Sequence, residues 1–250
     1  MIGHIMQYEK TRKGNPFGLT INQHIHSCFC ISKFTGKDNK VEVFFKERNT
    51  VFRIKPDDPR LCLQRCWDQR TEQCFMLRIE NKFHSVVEMY SDPSRRDHNA
   101  ISLYCALWRA RSELINSSPS DVHLIGISND NLSKEQEEIL ESKGVLFIRE
   151  NGMVPSRFSI GLNLQQRTDQ LMSTLGNIQW GLLTASSGEF IAADGYGDMP
   201  YIPISPTHAF FPNCKDTIIS RDNVIELNKE SISRSKLFYL SKSLQNCPVH

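Results

Sequence analysis

The chain has 250 residues, of which 39 % are hydrophobic, 23 % charged and 9 % aromatic, enough apolar material for one large domain or two small ones to bury a core. Thirty Lys and Arg face 28 Asp and Glu, a formal net charge of +2, so no global field singles out nucleic acid or membrane as a partner. No apolar run approaches the roughly 20 residues of a membrane span, and the polar stretch from Met1 to Gly14 has no apolar export core, so the expectation is a cytoplasmic protein without a membrane partner.

In chain order, residues 1–16 are polar and close on Lys10-Thr11-Arg12-Lys13-Gly14-Asn15-Pro16, which reads as a flexible arm ahead of one domain over 17–250. Val41 to Phe45 and Val51 to Ile54, split by charged Lys46-Glu47-Arg48-Asn49, predict a β-hairpin. After Pro56 to Pro59, apolar spacing predicts a helix over Thr71 to Met89 and a second, apolar on most sides, over Asn99 to Leu114. Residues 116–120 read as a turn, Val122 to Ile127 as a buried strand, and Val145 to Ile148 as another. Ser133 with Gln136 reads as a capping box opening a helix that Gly144 stops. Gln165 to Leu175 gives one more helix, and beyond Asn177 short apolar runs broken by Gly, Pro, Asn and Asp predict an antiparallel sheet. The sum is an α+β fold, with central helices packed on a C-terminal, mainly antiparallel sheet and an N-terminal hairpin.

The eight cysteines read as reduced thiols, given the expected compartment. His24, His26, Cys28 and Cys30 are zinc-ligand types that would share one face of a strand, but their spacing matches no standard zinc knuckle. No phosphate loop, dinucleotide fingerprint, nucleophile elbow or zinc-protease helix is present. The run Glu189 to Asp198 carries an aspartate, Asp194, into a Gly-rich turn, which serves equally to place a carboxylate at a sheet rim or simply to turn. Glu80, Arg109 and Arg111 are charges expected beside the core, or on solvated helix faces.

Taken in order, these stretches resemble the bacterial domain-of-unknown-function 4238 family. The family's opening Gln-His-Tyr-Ile-Pro-Gln-x-Tyr-Leu-Arg-x-Phe runs along Gln23 to Phe34 without a gap. A strand pair at Val41 to Ile54, the Ile79-Glu80 step, the helix end Ala106 to Arg111, Trp180, the strand Phe190 to Asp194, Pro203 to Pro206, Leu227-Asn228 and Arg234 to Leu240 follow in the family's order. Ser27 stands where the family has proline, and Gly195-Tyr196 where it often has Asn-Pro. The resemblance implies a single-gene anti-phage defence protein answering a phage-derived trigger, and it assembles His24, Glu80, Arg111 and Asp194 into a candidate constellation. In that constellation His24, Glu80 and Asp194 would hold a divalent magnesium or manganese ion or act as acid and base, with Arg111 on an anionic substrate. Metal-assisted cleavage of RNA or DNA phosphodiesters is the resulting expectation. The alternative is a non-catalytic sensor or binding protein in which the same four residues form a buried hydrogen-bonded network.

Overall fold

The computed structural model describes residues 8–117, 120–127, 129 and 131–249. Strand β1 (Asn22–His24) leads into the short helix α1 (Cys28–Ser32). The predicted hairpin follows as β2 (Val41–Phe45) and β3 (Thr50–Ile54), paired antiparallel with Val43 opposite Phe52, and Asn49 takes the positive φ of the turn. Strand β4 (Cys62–Gln64) pairs back on β1, placing His24 opposite Cys62. The first long predicted helix is a π-helical turn, Thr71–Met76, continuous with α2 (Leu77–Glu88). The second is α3 (His98–Glu113), whose N-cap Asp97 accepts from the amide of Ala100.

A strand pair of two residues each, β5 (Val122–His123) and β6 (Met153–Val154), brackets α4 (Lys134–Ser142), which opens on the predicted Ser133–Gln136 capping box. Helix α5 (Ser156–Leu175) crosses α3. Beyond it come β7 (Trp180–Ala185), β8 (Ala192–Ala193), β9 (Ile202–Ser205), β10 (His208–Pro212), β11 (Thr217–Ile219), α6 (Arg221–Arg234) and β12 (Phe238–Ser241). The described residues form two four-stranded sheets, ordered β11-β7-β10-β9 and β3-β2-β12-β8. The N-terminal hairpin thus shares a sheet with the last strand, because β12 pairs antiparallel with β2. All pairings in these sheets are antiparallel except β11 on β7.

The α+β expectation holds, with one contiguous apolar core running from Ile25 to Leu240. Phe83 of α2 lies parallel on Tyr104 of α3 at 4.0 Å between centroids and meets Phe210 of β10 edge-on. All three rings are fully buried, and burying such a ring stabilises by roughly 1.5–3 kcal/mol. Among the described residues no helix is long and apolar enough to cross a membrane.

Several local expectations are corrected. Residues 8–16 are not a free arm: the Glu9 carboxylate meets Lys134, Arg149 and Arg157, and the Arg12 amide donates to Glu138; residues 1–7 lie outside the described residues. Residues 118 and 119 of the 116–120 turn do too. Only Val122 and His123 of the predicted buried strand pair, both are exposed, and Ile125 lies wholly in solvent, because the chain turns at Gly126 with φ +78°. Residues 145–148 form no strand. Helix α5 begins nine residues before the predicted start, and α6, capped by Ser220 on the amide of Asn223, stands in the C-terminal region where the sequence predicts only strands.

Candidate functional site

The β1–β4 pair ends at His24, and the chain then turns through Ile25, His26 and Ser27 into α1. Opposite stand two helices. On α2, Glu80 and His84 are four residues apart and so share one face. On α3, Tyr104, Trp108 and Arg111 project the same way along successive turns.

His26 is fully buried, stacks on Trp108 at 4.0 Å, and pairs its Nδ1 with the Tyr104 hydroxyl at 2.8 Å. The same hydroxyl accepts from the Ser27 amide at 3.1 Å, which fixes the turn. Ser27 Oγ lies 2.8 Å from His84 Nε2, and the His84 ring stacks on Phe29. His24 Nε2 donates to the carbonyl of Pro56 at 3.0 Å, which puts the proton of the neutral ring on Nε2 and leaves Nδ1 a lone-pair acceptor. Arg111, only 2 % exposed, donates from Nη1 to Glu80 Oε1 at 2.6 Å, sets Nη2 3.0 Å from Met76 Sδ, and lies over the Trp67 ring. Glu72 accepts from Trp67 Nε1 at 2.6 Å.

Burial sets the protonation of this cluster. It holds His24 below the usual imidazole range, with Arg111 adding to the effect and Glu80 and the Pro56 bond opposing it. It lowers His84 against the pull of Glu80, and drives His26 down to about 3. It also raises the Glu72 carboxyl and the Cys28 thiol. His24, Cys28, Glu80 and His84 each keep part of their surface in water, so the cluster offers neutral imidazoles and a carboxylate to the solvent side of a buried guanidinium.

Of the four residues set together by the resemblance, three are neighbours: His24, Glu80 and Arg111. Asp194 is not part of the cluster. At the end of β8 its carboxylate is fully buried and accepts from three successive amides, Lys236 at 2.8 Å, Leu237 at 2.5 Å and Phe238 at 3.2 Å. Those amides enter β12 beside it and would otherwise lack acceptors. Burial pushes the Asp194 carboxyl up, and the three bonds pull it down. The expected metal set of His24, Glu80 and Asp194 is therefore corrected, and among the described residues no three His, Cys, Asp or Glu side chains are grouped to hold a metal ion.

The zinc-like run is divided as well: His26 and Cys30 point into the core, while His24 and Cys28 face the polar cluster. All eight cysteines are free thiols, Cys30 pushed up to about 12 by burial. Arg109 stands apart, paired with Glu113 and Asp198 at the surface. Sequence reasoning missed His84, Ser27 and Glu72; the spacing of His84 four residues after Glu80 on a predicted helix is the signal that points to it. The resemblance to the domain-of-unknown-function 4238 family rests on its motifs alone. No protein-family model, no curated protein and no solved structure matches this chain.

Proposed function

We propose that this chain cleaves phosphodiester bonds of nucleic acid by acid–base chemistry at His24 and His84, as an effector of anti-phage defence. The observation that carries the reading is two part-exposed, neutral imidazoles set about the Glu80–Arg111 pair. The free Nδ1 of His24 suits it to take a proton from an attacking oxygen. An arriving phosphate raises the pKa of nearby imidazoles by its charge, which lets His84 carry the proton for the leaving oxygen. Arg111 is too buried to bind substrate; it orients Glu80, which in turn biases both rings. The defence setting comes from the family resemblance.

Purified protein incubated with tRNA, total RNA and plasmid DNA, with and without magnesium or manganese, should cleave at least one of them. His24→Ala and His84→Ala should each cut the rate by about 100-fold or more while melting within a few degrees of the parent. Cells carrying the gene should lose protection in plaque assays with the same variants. The burial of Arg111 and the three amides on Asp194 favour a second reading, a polar network that specifies the fold of a binding protein. Nucleic acids left intact under every condition, with both histidine variants melting well below the parent, would establish that reading instead.

A further inference from the structure

On the α4–α5 side, away from the polar cluster, the chain forms an open-sided cavity of about 670 Å³. It is walled by four separate groups: Val122, Leu124, Ile127, Asn129 and Leu132, the end of α4 with the chain after it, β6, and the first turns of α5. Its volume falls within the roughly 300–1,000 Å³ of small-molecule sites. Leu124, Leu140, Leu146, Phe147, Phe158 and Leu162 typify the lining, and none of its described residues has an ionisable side chain. The two polar residues in the wall do not face an empty site unspent: the Asn129 amide donates to the Ile148 carbonyl, and the Ser159 hydroxyl to that of Ser156.

The walls are tied from outside rather than by filling the space between them. The β5–β6 ladder continues in a bond from the Leu124 amide to the Gly152 carbonyl at 2.9 Å. Gly152 itself sits at φ +75°, and a Cβ there would lie 2.3 Å from the Leu124 oxygen, so only glycine lets the two strands approach. Arg149 grips Glu137 with two bonds, and Arg157 grips Glu141, which pins the 145–154 chain and α5 to the flank of α4. An apolar space held open in this way lacks partner atoms on its inner side, so a molecule that supplies them gains both contacts and burial.

We infer that this cavity binds the alkyl tail of a single-chain amphiphile, with the head group left in water at the open side. Among the described residues the lining presents hydrocarbon and no charged group, a surface that matches an alkyl chain rather than a nucleotide, a sugar or an ion. Leu162, half exposed, and Leu146, 38 % exposed, are aliphatic residues at the edge of the site, where a tail can enter while its head stays hydrated. The inference is independent of any chemistry at His24 and His84.

The test is titration of the purified protein with N-phenyl-1-naphthylamine, an uncharged apolar fluorophore, followed by displacement with octanoate, dodecanoate and palmitate. We expect saturable enhancement at one site and displacement that strengthens with chain length. Leu162→Trp, which fills the space from one wall, should weaken binding about tenfold or more, and Leu146→Trp from another wall should do the same, each with an unchanged circular dichroism spectrum. Absence of saturable binding, displacement indifferent to chain length, or parental affinity in both folded Trp variants would overturn the inference.

Discussion

His26 shows how one residue in this chain serves the fold while its neighbours are free for chemistry. Its ring is sealed between Trp108 and the Tyr104 hydroxyl, and burial holds it neutral down to about pH 3, whereas an imidazole in the unfolded chain protonates near 6.5. Between those two values the unfolded chain carries the extra proton, so stability must fall as pH falls from about 6.5 towards 3. His26→Phe keeps an aromatic ring on Trp108 and removes the titration. Urea unfolding across that range should show a shallower loss for the variant; equal slopes would mean that His26 protonates without leaving its stack. His24 and His84, two residues before it and across on α2, are only partly buried and keep the solvent access that His26 lacks. The sequence could name His24, Glu80 and Arg111 because the resemblance set them in order. It could not tell Asp194 from a site residue, since an aspartate before glycine looks the same whether it faces a substrate or three backbone amides.

Helix α5 is the element where local propensity and tertiary packing disagree most. The reading from Gln165 misses its first half because Pro155, Gly161 and scattered polar residues hide the start of the apolar stripe of Ile160, Leu164, Leu171 and Leu175. Gly161 explains itself only in three dimensions: a Cβ there would stand 2.0 Å from Asp68 Oδ2 and 2.4 Å from Thr71 Oγ1. Asp68 cannot easily give way, because its carboxylate caps the π-helical turn through the Thr71 amide at 3.0 Å and hydroxyl at 2.7 Å. In an exposed helix, Gly→Ala gains about 1 kcal/mol. Here Gly161→Ala should instead destabilise by about 1–3 kcal/mol, read as a lower urea midpoint, since overpacking outweighs propensity. A midpoint at or above the parent's would show that the Asp68 cap can yield. Elements carrying their own boundary signals, the Ser133 capping box and the Val41–Ile54 hairpin, were legible. Helix α6 was not, because Ser220 and Asn223 cap it with residues that equally well mark a turn between strands.

At the scale of the whole molecule, α4 joins the rest through charge, its buried residues being Glu137, Glu138 and Glu141. Buried Arg65 donates to Glu141 at 2.7 Å, Arg157 to Glu141 at 2.9 Å and to Glu9 at 2.5 Å, and Arg149 to Glu9 at 2.6 Å, with Lys134 also on Glu9. Glu9 thus fastens the N-terminal segment over a joint that its cations would otherwise leave underpaired. Burial alone would raise its carboxyl, but Arg157, Lys134 and Arg149 together bring it down to about 2. A depressed carboxylate adds stability that is fully present above its unfolded value near 4.5 and lost as pH falls through the folded value. The joint should therefore loosen between about pH 4.5 and pH 2, over and above the loss that His26 contributes at higher pH. Amide hydrogen exchange at about pH 5 and about pH 3 is the measurement. Protection over 134–142 should drop at the lower pH in the parent, and Glu9→Gln should show the reduced protection at both. If exchange in α4 is unchanged by either acid or the substitution, the capping box and apolar contacts hold the helix in place without the ionic joint.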